Sequence, residues 1–89
     1  LRVVLSGELD HHNAAIIREE VDRELDGSVK LLTLDMSGIT FMDSSGIGVV
    51  LGRYRRMSES GGKLRMGGMS IYAEKILRMA GVLALLERK

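Results

Sequence analysis

Val29-Lys30-Leu31-Leu32-Thr33-Leu34-Asp35-Met36 is a short, nearly continuous apolar run between two segments of helical periodicity, and it constrains this chain's fold more than any other feature. A strand apolar on both sides is expected to be covered on both faces, so the run is predicted to be the middle of a sheet. Upstream, Ala14, Ile17, Val21 and Leu25 recur at spacings of three and four after Asn13, a candidate N-cap. That pattern predicts an amphipathic helix ending near Gly27. Downstream, Ile47, Val50, Leu51 and Tyr54 form a second apolar stripe, with Arg53, Arg55 and Arg56 off it and Gly61-Gly62 closing the segment.

The remaining segments follow the same alternation. Leu1, Val3 and Leu5 have the period of a strand over residues 1–6, and Lys63 to Gly67 is short and strand-like. Ser70 can cap a third helix with Ala73, Ile76, Leu77 and Ala80 on one face, stopped by Gly81. Val82 to Leu86 reads as a last strand. The order β-α-β-α-β-α-β with short connections predicts an α/β class with a mostly parallel sheet wound by right-handed crossovers. Seventeen residues from Ile47 to Lys63 hold one crossover helix and leave no room for a separate substrate domain.

Size and composition narrow the function. Eighty-nine residues make one domain, for which scaling gives roughly 5,200 Å² of folded surface against about 14,200 Å² extended. Without cysteine there is no disulfide framework, thiolate metal site or thiol catalysis, which fits a reducing compartment, the cytoplasm by default. No apolar run approaches the ~20 residues that span a bilayer, and no cationic leader opens the chain, so no membrane association is expected. Residues 1–45 carry four basic and nine acidic groups, residues 46–89 nine and three, an asymmetry that can steer a partner. Aromatics are only 3%, too few for stacking platforms, so direct nucleic-acid binding is disfavoured.

Phe41-Met42-Asp43-Ser44-Ser45-Gly46-Ile47-Gly48 joins the central strand to the second helix, at the carboxyl end where ligands of open α/β sheets gather. A helix N-terminus offers unpaired N–H groups and a positive dipole end. The commonest fate of a serine there is to cap the helix, and Ser44 or Ser45 is expected to do so. The alternative is phosphorylation, which adds about −1.5 to −2 charges where the helix tolerates them and Asp43 does not. The domain would stay folded while its surface field changed.

Other chemistries fit less well. Gly46-Ile47-Gly48-Val49-Val50-Leu51-Gly52 resembles a dinucleotide fingerprint, but nine residues separate Met36 from Gly46 and no acid follows in Arg65 to Met69. The glycines are expected to allow close packing instead. A hydrolytic triad could only draw on Ser45, His11 or His12, and Asp10 or Asp43, without a G-x-S-x-G motif, oxyanion element or lid. His11 and His12, adjacent on an extended chain, point to opposite faces and make a poor metal pair. The six methionines are expected to fill the core, and Arg53, Arg55 and Arg56 to form a solvated face or a dock for an acidic partner. No cofactor is expected.

The runs Gly7-Glu8-Leu9-Asp10-His11-His12-Asn13-Ala14 and Leu34 to Tyr54, the latter containing F-M-D-S-S-G-I-G-V-V-L-G-R-Y, closely resemble the STAS-domain anti-sigma-factor antagonists, most of all the sporulation-type branch. The likeness covers most of the chain, read as one STAS domain over 1–89. It implies a small α/β regulator without catalytic activity that is phosphorylated on serine by a partner both kinase and anti-sigma factor. The switch serine maps to Ser45, and Asp10, His11, Asp43, Ser44, Ser45, Gly46 and Arg53 map to the partner surface. Unphosphorylated, such a protein binds the anti-sigma factor and releases sigma; phosphorylated, it lets go until a serine phosphatase resets it. Against the family pattern, the chain is expected to be without a further, first strand ahead of the one that leads into G-E-L-D and without a helix after the last strand, and Gly67 to Ala73 lacks the usual proline. The other reading of the likeness is a STAS module of a transporter or larger signalling complex.

Overall fold

A computed structural model describes residues 1–87 as β1 (Arg2–Leu9), α1 (Ala14–Glu24), β2 (Leu31–Met42), α2 (Ser44–Glu59), β3 (Lys63–Gly67), α3 (Ile71–Met79) and α4 (Val82–Glu87). The strands form one parallel sheet in the order β1-β2-β3, with Val3 opposite Leu34 and Leu34 opposite Met66. Both crossovers step the same way across the sheet, so their right-handedness puts α1 and α2 on one face, where they touch. The surface of 5228 Å² is that of one domain with one core.

β2 is central, as the apolar run predicts, but its two faces differ. Leu32, Leu34 and Met36 are fully buried on one side, whereas Leu31 is 40% exposed and Asp35 on the same side pairs with Arg2. The run is thus a period-two strand with one apolar face; the expected cover on both faces is only partial, with Asp35 buried but Leu31 open on the second face. β2 also continues through Ser37 and Gly38 to Met42. A Cβ on Gly38 would lie 2.9 Å from Ser6 Cβ and 3.0 Å from Leu5 O, so the missing side chain lets β1 stay paired with β2 where the register shifts between Val4 and Ser6. β1 likewise runs beyond residue 6 to Leu9.

The longer β2 removes the nine-residue gap expected between strand and second helix: Asp43 alone separates Met42 from α2. α1 stops at Glu24, and Leu25 turns extended to enter the core. β3 and the Ser70 cap of α3 lie as predicted, the Ser70 hydroxyl accepting from Ala73 N at 3.1 Å, although Ala80 is exposed.

Val82 to Leu86 is helix, not strand. A five-residue apolar run has no period to tell the two apart, and its leucines and alanine are good helix formers. Gly81, at φ +79°, ends α3, and the new helix turns at once to bury Val82 and Leu83. The order is therefore β-α-β-α-β-α-α among the described residues.

Candidate functional site

The carboxyl ends of β1 and β2 meet at one carboxylate. Asp43, extended at φ −121° and ψ −166°, caps α2 by accepting from Ser45 N at 2.8 Å through Oδ1. Its Oδ2 accepts from His11 N at 3.3 Å and lies 3.7 Å from His11 Nδ1, and its own N–H donates to Leu9 O at 3.3 Å. One side chain thereby fixes both the helix start and the β1–α1 turn. Burial pushes the Asp43 carboxyl up, but the N–H groups of Ser45, His11 and Gly46 and the His11 charge together hold it below its ordinary value.

The expectation that Ser44 or Ser45 caps α2 is overturned. Aspartate at the residue before them already satisfies the helix N–H, and neither serine hydroxyl has a hydrogen-bond partner among the described residues. Ser44 is exposed. Ser45, half-buried, looks into a groove of about 360 Å³ between α1 and α2 that His11, Ala14, Ala15, Arg18 and Gly48 also line. The structure thus separates two serines that sequence physics leaves equivalent.

Gly46 is buried where α2 meets β1: a Cβ there would lie 2.8 Å from Leu9 O and 2.6 Å from Met42 Cγ. Close approach is the reason for this glycine, as expected. Gly48 and Gly52 face open space, and the same expectation fails for them. Beyond the loop, Tyr72 at the start of α3 donates its hydroxyl to Met42 O at 3.2 Å, which ties the third helix to the residue before Asp43. Nothing in the sequence marks Tyr72 for this part.

Asp10 closes the turn before α1. Its Oδ1 accepts from His12 N at 3.0 Å and Asn13 N at 3.1 Å, in place of the cap expected from Asn13, whose side chain makes no cap bond and donates instead to Glu8 O. His11 thus joins Ser45 at the groove, Asp43 holds the backbone of both, and Asp10 shapes the turn that carries His11. His11, Asp43 and Ser45 are the residue types of a hydrolytic triad, yet no His11–Ser45 hydrogen bond is formed.

Arg53 lies apart from this group. It is 8% exposed in the α1–α2 seam, its Nε 3.2 Å from Asp22 Oδ1, which Arg56 Nη1 also approaches at 3.3 Å. The contact lacks hydrogen-bond alignment, and Arg53 Nη1 has no hydrogen-bond partner among the described residues. Burial lowers the Arg53 pKa, Asp22 opposes this, and Arg18 and Arg56 add to the lowering. The expected solvated arginine face is therefore broken: Arg55 and Arg56 are exposed, but Arg53 is an internal ion pair. Arg18 is the residue that sequence reading missed, because a charge on an amphipathic helix looks like solvated surface; its place seven residues after His11, with Ala14 and Ala15 between, is the only hint.

The site is a pair of serines at the N-terminus of α2, beside the carboxyl ends of two parallel strands of an α/β domain, with neither hydroxyl hydrogen-bonded among the described residues. The chain belongs to the STAS-domain family, whose model matches residues 1–88. It is 36% identical over 83 residues to an anti-sigma F factor antagonist of Paenibacillus polymyxa, covering 92% of this chain and 71% of the relative. The structure of the anti-sigma factor antagonist SpoIIAA in its unphosphorylated form superposes with a TM-score of 0.78 at 32% identity, over 91% of this chain and 71% of that one. The Bacillus cell fate determinant SpoIIAA in the phosphorylated form gives 0.72 at 32%, over 93% and 76%. A sulfate transporter family protein from Wolinella succinogenes gives 0.81 over 96% and 69%, but at 18% identity it shares the fold alone.

Proposed function

We propose that this chain is an anti-sigma-factor antagonist whose Ser45 is a phosphorylation switch. The unmodified domain binds an anti-sigma factor that is also a serine kinase, and sigma is released. Ser45 Oγ then loses its proton to a base of the kinase and bonds to the γ-phosphorus of a nucleoside triphosphate as the nucleoside diphosphate leaves, and the added charge ends binding until a serine phosphatase hydrolyses the phosphate away. The chain itself acts by binding, without catalysis, in the cytoplasm.

One observation supports this most: Asp43 caps α2, so the Ser45 hydroxyl is free at a helix N-terminus that accepts negative charge. The helix does not lose its cap when the serine is modified. The relatives' names and the phosphorylated form of one of them support the same reading. Asp10, His11, Asp43, Ser44 and Gly46 present or surround the loop, and Arg53 acts by holding α1 against α2 rather than by touching the partner.

Intact-mass analysis with fragment mapping after incubation with the anti-sigma kinase and ATP, on wild type, Ser44→Ala and Ser45→Ala, tests the assignment. One phosphate, lost only in Ser45→Ala, is expected. A phosphate that survives Ser45→Ala would move the switch elsewhere.

A further inference from the structure

The groove beside Ser45 has its own chemistry. His11, Ala14, Ala15 and Arg18 line one wall at spacings of three and four along α1 and its lead-in; Ser45 and Gly48 stand on the other, at the same spacing on α2. Alanine and glycine leave the space open: where Gly48 would carry a Cβ, nothing lies within 4 Å. Arg18 is exposed and has no ion-pair partner among the described residues, whereas Arg53 and Arg56 share Asp22. Arg18 also lies close enough to Arg53 to act on its charge, while Asp22 is shared by Arg53 and Arg56 and the Asp43 carboxylate is engaged by Ser45 N and His11 N. An unoccupied cation beside excess positive charge, in a cleft onto which one serine opens, is a receptor for an anion attached to that serine.

We infer that the α1–α2 groove receives the Ser45 phosphoryl group in cis, with Arg18 as its principal contact and His11 on the Asp43 side. The inference rests on the Ser45 switch proposed above and adds what happens to the phosphate afterwards. The phosphate does not project into solvent as a bare charge; it enters the groove, bridges α1 to α2, and takes Arg18 out of the surface a partner meets. A planar guanidinium suits a phosphate's paired oxygens. Ser44, exposed and outside the groove, has no such partner.

The test installs phosphoserine directly at position 45, or at 44, during synthesis, so it does not depend on which residue the kinase chooses. The second ionisation of the phosphate, near pH 6 in the free group, is followed by 31P NMR. Phosphoserine 45 is expected to titrate about 0.5–1 unit lower in wild type than in Arg18→Ala, by attraction to a neighbouring cation. Arg18→Lys should restore part of the shift, and phosphoserine 44 should not respond to Arg18→Ala. Equal titration of phosphoserine 45 in wild type and Arg18→Ala, with unchanged far-UV CD, would overturn the cis receptor and leave the switch itself standing. A kinase that never modifies Ser45 would sink the switch and leave the groove's affinity for phosphate measured.

Discussion

At the scale of single residues, Asp43 does work that its place in a D-S-S-G loop does not announce. Sequence reasoning looked to the serines for the cap because serine is a good one, and it could not weigh them against an aspartate one position earlier. Only the close end of β2 at Met42 shows which residue stands at the N-cap. Because the folded Asp43 carboxyl sits below the ordinary aspartate value of 3.8, its stabilising effect is fully present above that value and is lost as pH falls through the lower folded value. Asp35, lowered chiefly by Ser37, and Asp26, lowered chiefly by Ser28, act with the same sign. Stability followed by circular dichroism should therefore fall on acidification below about pH 4. Asp43→Asn keeps a good cap without the charge, so it should hold its helix at neutral pH while flattening that acid dependence; an unchanged acid profile would argue against the assignment.

At the scale of elements, the helices and strands were legible where the apolar period was long. α2 and α3 fall where Ile47 to Tyr54 and Ser70 to Leu77 put them, and β2 is central as its leucines require. Val82 to Leu86 failed because five apolar residues carry no period, and β2's extension failed because Ser37-Gly38 looks like a turn until the partner strand at Ser6 is seen. Junctions give the sharpest expectations. Gly46→Ala places a methyl against Leu9 O and Met42 and should cost about 1–3 kcal/mol in denaturant unfolding. Gly48→Ala, in the same helix but facing open space, should be neutral or stabilise by up to about 1 kcal/mol. Equal costs for both would mean that the α2 start does not press on β1. Arg53→Met, which keeps an apolar stem in the α1–α2 seam, should leave affinity for the partner within about twofold, as a residue buried behind the interface would. A large loss of affinity at unchanged stability would put Arg53 back among the contacts.

For the whole molecule, the charge imbalance between the two halves is partly spent inside the fold, because Asp22 in the acidic half binds Arg53 and Arg56 of the basic half. What remains outside is a surface on which one phosphate is a large local change. Asp43, Gly46 and Tyr72 attach the loop to the sheet and the third helix, so under the proposed switch a phosphate on Ser45 would alter charge and occupancy rather than fold. Family membership was legible from the G-E-L-D-H-H and F-M-D-S-S-G runs; the groove was not, since it is made by two helices distant in sequence. Under the proposed switch, phosphate on Ser45 ends binding to an anti-sigma kinase without unfolding the domain. Calorimetric titration of that kinase with unmodified protein, Ser45→Ala and the form phosphorylated at Ser45, with far-UV CD on each, tests it most directly. Tight binding by the first two is expected, with at least about tenfold weaker binding by the third, roughly 1.4 kcal/mol, and superimposable spectra. Equal affinity of the phosphorylated form, or its unfolding, would contradict it.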